Sequence, residues 1–128
     1  MTMNLDQSSA KAQCKILVIE DDADIRETLR QALEYEGYDS VGAANGQEGL
    51  EILGNIDSPC LILLDLMMPV MDGWKFAEKL RDDEKLSTIP VVIVSAFVDQ
   101  TRTLNAQGIL KKPVELDALL EVVKKYCG

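Results

Sequence analysis

Short apolar runs alternate with amphipathic helical patterns along nearly all of the 128 residues, and this alternation narrows the possible folds more than any other feature. Ile16-Leu17-Val18-Ile19, Cys60-Leu61-Ile62-Leu63-Leu64 and Val91-Val92-Ile93-Val94 are unbroken apolar stretches, as expected of strands covered on both faces. Between the first two, Ile25, Leu29, Ala32 and Leu33 recur at helical spacing with charges among them, and Gly37 follows as a stop. Residues 38–43 read as a weaker strand, 47–53 and 74–81 as helices, and Ile109-Leu110 as a brief strand. Residues 115–126 read as a closing helix with Leu116, Leu119, Leu120 and Val123 on one face. Such an order predicts an α/β domain: a doubly wound parallel sheet, right-handed crossovers and helices on both faces. Ligands of such sheets bind beyond the carboxyl ends of the strands.

Composition excludes much else. The chain has no histidine, which removes imidazole bases, Ser-His-Asp and Cys-His nucleophiles and most zinc sites. A net charge of -9, from 22 acidic and 13 basic residues, opposes nucleic-acid binding, which needs cations at phosphates. No stretch is long and apolar enough for a membrane span, and residues 1–14 lack the apolar core of a signal peptide. They read as a flexible N-terminal tail ahead of one domain over 15–128. Cys14, Cys60 and Cys127 read as small apolar fillers, and the location as cytoplasmic.

The predicted strand ends carry polar residues. The first run ends in Glu20-Asp21-Asp22, the third in Asp65 and the fourth in Ser95, while Lys111-Lys112-Pro113 follows the fifth. If the first and third strands are neighbours, Asp21 and Asp65 converge. Two carboxylates about 4 Å apart repel by ~4 kcal/mol at an effective dielectric near 20. A divalent cation or a lysine ammonium relieves that repulsion, and Mg²⁺ commonly takes one or two carboxylates plus phosphate oxygens. Asp22 and Asp24 are both candidates to cap the helix that follows, and spacing does not choose between them.

Taken in order, Glu20-Asp21-Asp22, the stretch Leu61-Ile62-Leu63-Leu64-Asp65-Leu66-Met67-Met68-Pro69 with Asp72-Gly73, Ser95-Ala96 and Lys112-Pro113 resemble the receiver domain of bacterial response regulators. The likeness spans residues 15–126 and leaves no length for an output domain. It implies a flavodoxin-like sheet in the order 2-1-3-4-5 and a stand-alone module of two-component phosphorelay signalling. Asp65 is then the phosphoacceptor, taking a phosphoryl group from a histidine kinase or histidine phosphotransfer protein with Mg²⁺ present. Asp21, Asp65 and the backbone carbonyl of Met67 would hold the metal, with Glu20 acting through water. Lys112 and Ser95 would contact the phosphoryl group, and the bond before Pro113 would be cis. The implied role is a binding module that assists its own phosphorylation, rather than an enzyme, and its output is a downstream protein target.

Two positions depart from that family. Ile109 stands where receivers usually carry Tyr or Phe as an inward-turning switch. Only 16 residues separate Ser95 from Lys112, which predicts a shortened fourth helix. Two other readings compete: a receiver-like scaffold that is never phosphorylated, and a haloacid-dehalogenase-type phosphatase. The latter pattern has a second acid two residues after the nucleophile, where this chain has Met67.

Overall fold

The computed structural model describes residues 15–96 and 106–128. Five strands, β1 (Lys15–Ile19), β2 (Asp39–Ala43), β3 (Leu61–Asp65), β4 (Val91–Ser95) and β5 (Gly108–Lys111), form one sheet in the order β2-β1-β3-β4-β5. Every pairing is parallel. Four helices are described: α1 (Ala23–Tyr35), α2 (Gly46–Leu53), α3 (Gly73–Arg81) and α4 (Leu116–Cys127), with a 3₁₀ turn at Leu86–Thr88. The fold is therefore the flavodoxin-like one that the alternation and the resemblance led us to expect. The expected tail at 1–14 and the shortened helix after Ser95, at residues 97–105, lie outside the described residues.

The unbroken apolar runs have a direct cause. Successive side chains of a strand point to opposite faces, so a strand covered on both faces needs apolar residues throughout. Ile16, Val18, Leu61, Leu63, Val92 and Val94 point to one side, where Leu29 and Leu33 of α1 and Leu119 and Val123 of α4 cover them. Leu17, Ile19, Ile62, Leu64 and Ile93 point to the other, against Leu53 of α2 and Phe76 and Leu80 of α3. Phe76 is fully buried; its truncation to Ala would cost about 3–5 kcal/mol.

The cysteines depart from expectation. Cys127 is free and packs against the α1–α4 side of the core, as a filler would. Cys60 instead is disulfide-bonded, and Cys14 lies outside the described residues. Cys60 stands just before β3, where its N–H donates to the Lys15 carbonyl at 2.9 Å. Pairing of β1 with β3 thus places Cys60 at the rim of the sheet's N-terminal end.

Candidate functional site

The site is built where β1, β3, β4 and β5 end along one edge of the sheet. Glu20 extends β1 by one hydrogen bond, its N–H donating to the Ala43 carbonyl at 3.0 Å. Its side chain is buried, and Oε2 accepts from the Asp22 N–H at 3.1 Å. Asp22, not Asp24, caps α1: its backbone is extended, and its Oδ1 accepts from the N–H groups of Asp24 and Ile25 at 2.9 and 3.1 Å. Asp21, between them, is exposed at the mouth of the site.

Asp65 is the last residue of β3 and is 4% exposed. Its carboxylate accepts from the Met67 N–H. The chain then turns back sharply, so that Gly73 opens α3 directly against this strand end. A Cβ on Gly73 would overlap the Asp65 carbonyl oxygen and Leu66; hydrogen alone fits there.

Lys112 follows β5. Its N–H donates to the Ser95 carbonyl at 3.0 Å, joining the ends of β4 and β5. Its ammonium lies 2.6 Å from Glu20 Oε1 and 3.5 Å from Asp65 Oδ1. Ser95 is buried at the end of β4. The Lys112–Pro113 bond is cis. Glu20, Asp21, Asp65, Met67, Ser95 and Lys112 all line one depression of about 250 Å³. A water's share of liquid volume is about 30 Å³, so the depression has room for a hydrated ion and a phosphoryl group.

Electrostatics follow from burial. Desolvation pushes the Glu20 carboxyl up to about 7, partly offset by its hydrogen bonds with Lys112 and the Asp22 N–H. Burial likewise raises Asp65, against the pull of Lys112. For Lys112, burial acts to lower its pKa, but Glu20 and Asp65 outweigh it and the ammonium is held above its usual range. The site thus sets three carboxyl groups against one ammonium.

That charge and those oxygens suit a hard divalent cation. One carboxylate oxygen from each of Glu20, Asp21 and Asp65 lies within 4.8 Å of the others. Glu20 Oε1 is buried, and its close partner among the described residues is the Lys112 ammonium at 2.6 Å. Such an all-oxygen donor set fits Mg²⁺.

The atypical switch position lies apart from the depression, and one residue beside the site carried little sequence signal. Ile109 is 44% exposed on β5 and does not line the depression. Met67 is exposed, whereas Met68 and Met71 pack against the α2–α3 side of the core. Arg26, absent from the sequence reading, donates from Nη1 to the Glu20 carbonyl at 2.8 Å. A cation six positions past a strand-end acid was the only signal, and it is a weak one.

Comparison with known proteins agrees with this geometry. The model of the response regulator receiver domain matches residues 16–124. The chain is 30% identical to the polar-differentiation response regulator DivK of Brucella anthropi over 118 residues, covering 88% of this chain and 95% of that one. It resembles the response regulator receiver protein from Pseudomonas putida with a TM-score of 0.82 and 30% identity, over 89% of this chain and 98% of that one. A signal receiver domain of a histidine kinase from Syntrophus aciditrophicus is similar too, with a TM-score of 0.81 and 32% identity over 88% and 89% of the two chains. Among the described residues, no helix is long and apolar enough to cross a membrane.

Proposed function

The chain belongs to the response regulator receiver family of two-component signalling, and from that premise we propose that Asp65 is its phosphoacceptor. The observation that carries this reading is the meeting of Glu20, Asp21 and Asp65 with the Lys112 ammonium in one depression. Receivers act as signalling modules that meet histidine kinases and downstream targets, so the donor is a phosphohistidine on a kinase or phosphotransfer protein.

A carboxylate oxygen of Asp65 attacks the phosphorus; the new O–P bond forms as the N–P bond breaks, and the imidazole leaves with that electron pair. Transfer of this kind depends chiefly on positioning and charge neutralisation. Asp21, Asp65 and the Met67 carbonyl would hold Mg²⁺, with Glu20 acting through water. Bound there, Mg²⁺ supplies neutralisation of the phosphoryl oxygens. Lys112 moves from its acidic partners to one phosphoryl oxygen, and the Ser95 hydroxyl donates to another. The phosphorylated form then binds its downstream protein target.

Acetyl phosphate with Mg²⁺ should add one phosphoryl mass to the protein. Asp65→Asn should abolish the adduct and chelation should prevent it. A robust adduct on Asp65→Asn would refute the assignment, and none on the wild type would favour the unphosphorylated scaffold.

A further inference from the structure

Asp21 is the exposed member of the acid cluster, and its direction depends on the peptide that precedes it. The Glu20 carbonyl and the Asp21 N–H share one rigid plane. On one side of that plane the Glu20 N–H is tied to the Ala43 carbonyl at 3.0 Å. Its carbonyl is gripped by Arg26 Nη1 at 2.8 Å. Beyond it, Asp22 is tied to Glu20 Oε2 at 3.1 Å and caps α1.

Arg26 reaches the carbonyl because its own backbone and its stem are both placed. Its N–H donates to the Asp22 carbonyl at 2.9 Å in the first turn of α1. The side chain is only 20% exposed and, among the described residues, makes no closer ion pair than 3.9 Å, to Glu27. Its stem lies flat over β2 at Gly42. A Cβ there would come within 3.1 Å of Arg26 Cδ, 3.3 Å of Arg26 Cγ and 3.1 Å of Arg30 Cδ, tighter than ordinary contact. The bare strand at residue 42 is the space in which the arginine lies.

The geometry points to Arg26 as a positioning residue for the divalent cation: its grip on the Glu20 carbonyl holds Asp21 within reach of Glu20 and Asp65. This rests on reading the acid cluster as a Mg²⁺ site. Outer contacts of this kind orient metal ligands, and their loss commonly costs about 10–100-fold in affinity. Charge alone predicts the opposite sign. A guanidinium beside the acids repels a cation, so its removal would tighten binding.

The test is calorimetric titration of Mg²⁺ into the unphosphorylated full-length chain. Arg26→Gln should weaken binding by about tenfold. Gly42→Ala keeps the charge but crowds the stem, and should weaken it in the same direction. Labelling by acetyl phosphate should slow in both variants at limiting Mg²⁺ and return to the wild-type rate at saturation. Arg26→Gln that binds Mg²⁺ as tightly as the wild type, or more tightly, overturns the inference, as does a slowed rate that saturation leaves unrestored. A wild type that binds Mg²⁺ but takes no phosphoryl group defeats the proposed function alone, because the titration still judges Arg26.

Discussion

The Lys112 ammonium sits 2.6 Å from Glu20 and 3.5 Å from Asp65, so its nearer partner is the acid that would hold metal through water, not the proposed phosphoacceptor. On the proposed reading, lysine and cation would compete for the same carboxylates. The ammonium would serve as counter-ion without metal and leave for the phosphoryl group with it.

Lys112→Ala removes that counter-ion from two buried acids. Fully buried pairs lose about 3–5 kcal/mol when one partner is removed. Here the acids can take up a proton, so we expect about 2 kcal/mol of destabilisation at pH 8 and less at pH 5. Mg²⁺ binding should be no weaker than in the wild type, while phosphorylation no longer produces the wild-type spectral change. Denaturation at the two pH values and Mg²⁺ titration check this; a Mg²⁺ affinity that drops in the variant contradicts it.

Glu20 also sets a pH dependence. Its folded pKa of about 7 lies above its ordinary value of 4.5, so the folded protein holds this proton more tightly than the unfolded chain. The stability it contributes is full below about 4.5 and is lost as the pH rises through about 7. Asp65, also raised, acts in the same direction. Metal-free protein should melt lower at pH 8 than at pH 5. Mg²⁺ needs the ionised acids, so it should raise the melting temperature at pH 8 and have little effect at pH 5. Equal stabilisation by Mg²⁺ at both values would contradict the assignment.

Asp22→Ala should cost about 1 kcal/mol, since its Oδ1 satisfies two N–H groups at the start of α1. For a domain of this size that lowers the melting temperature by roughly 3–5 °C. Asp24→Ala removes only a first-turn charge and should cost less. Thermal melts of the two variants side by side decide it, and a larger loss at Asp24 would reverse the capping assignment.

Activation should be read out without an aromatic switch. Ile109 has neither ring nor hydroxyl and is already 44% exposed. A phosphoryl group shifts two states only through contacts that differ between them, here those of Ser95 and Lys112. Amide shifts with beryllofluoride should be largest from Ser95 to Gln107, with little rotamer change at Ile109 and modest effects along α4. Changes concentrated at Ile109 and α4, with a quiet segment after Ser95, would show the reverse.

How much of this was legible depended on the range of each interaction. Ile16 to Ile19 and Val91 to Val94 announce themselves because covering a strand on both faces demands apolar residues in series. Asp65 and Lys112 could be brought to one edge on paper because a parallel sheet puts all strand ends there, and the resemblance supplied their roles. The choice of Asp22 over Asp24 depends on a backbone turn that both spacings allow. The nearness of Lys112 to Glu20, the bonded Cys60 and the reach of Arg26 to the Glu20 carbonyl depend on which strands lie side by side and where a flexible side chain settles. No local pattern encodes these. At Gly42 the signal was a missing side chain, which reads as a weak strand until the arginine stem is seen lying in its place.

The strands that meet at the site are unequally anchored. β1 and β3 are interior, flanked on both sides, and carry Glu20 and Asp65. β5, which leads into Lys112, is a four-residue border strand with β4 as its sole neighbour. The acids thus follow strands held from both sides, and the lysine follows one held from a single side. A change of partner at Lys112 is cheaper to accommodate by shifting the border than by bending the middle, so the proposed exchange would move the outer margin of the sheet where Lys112 is tied to Ser95.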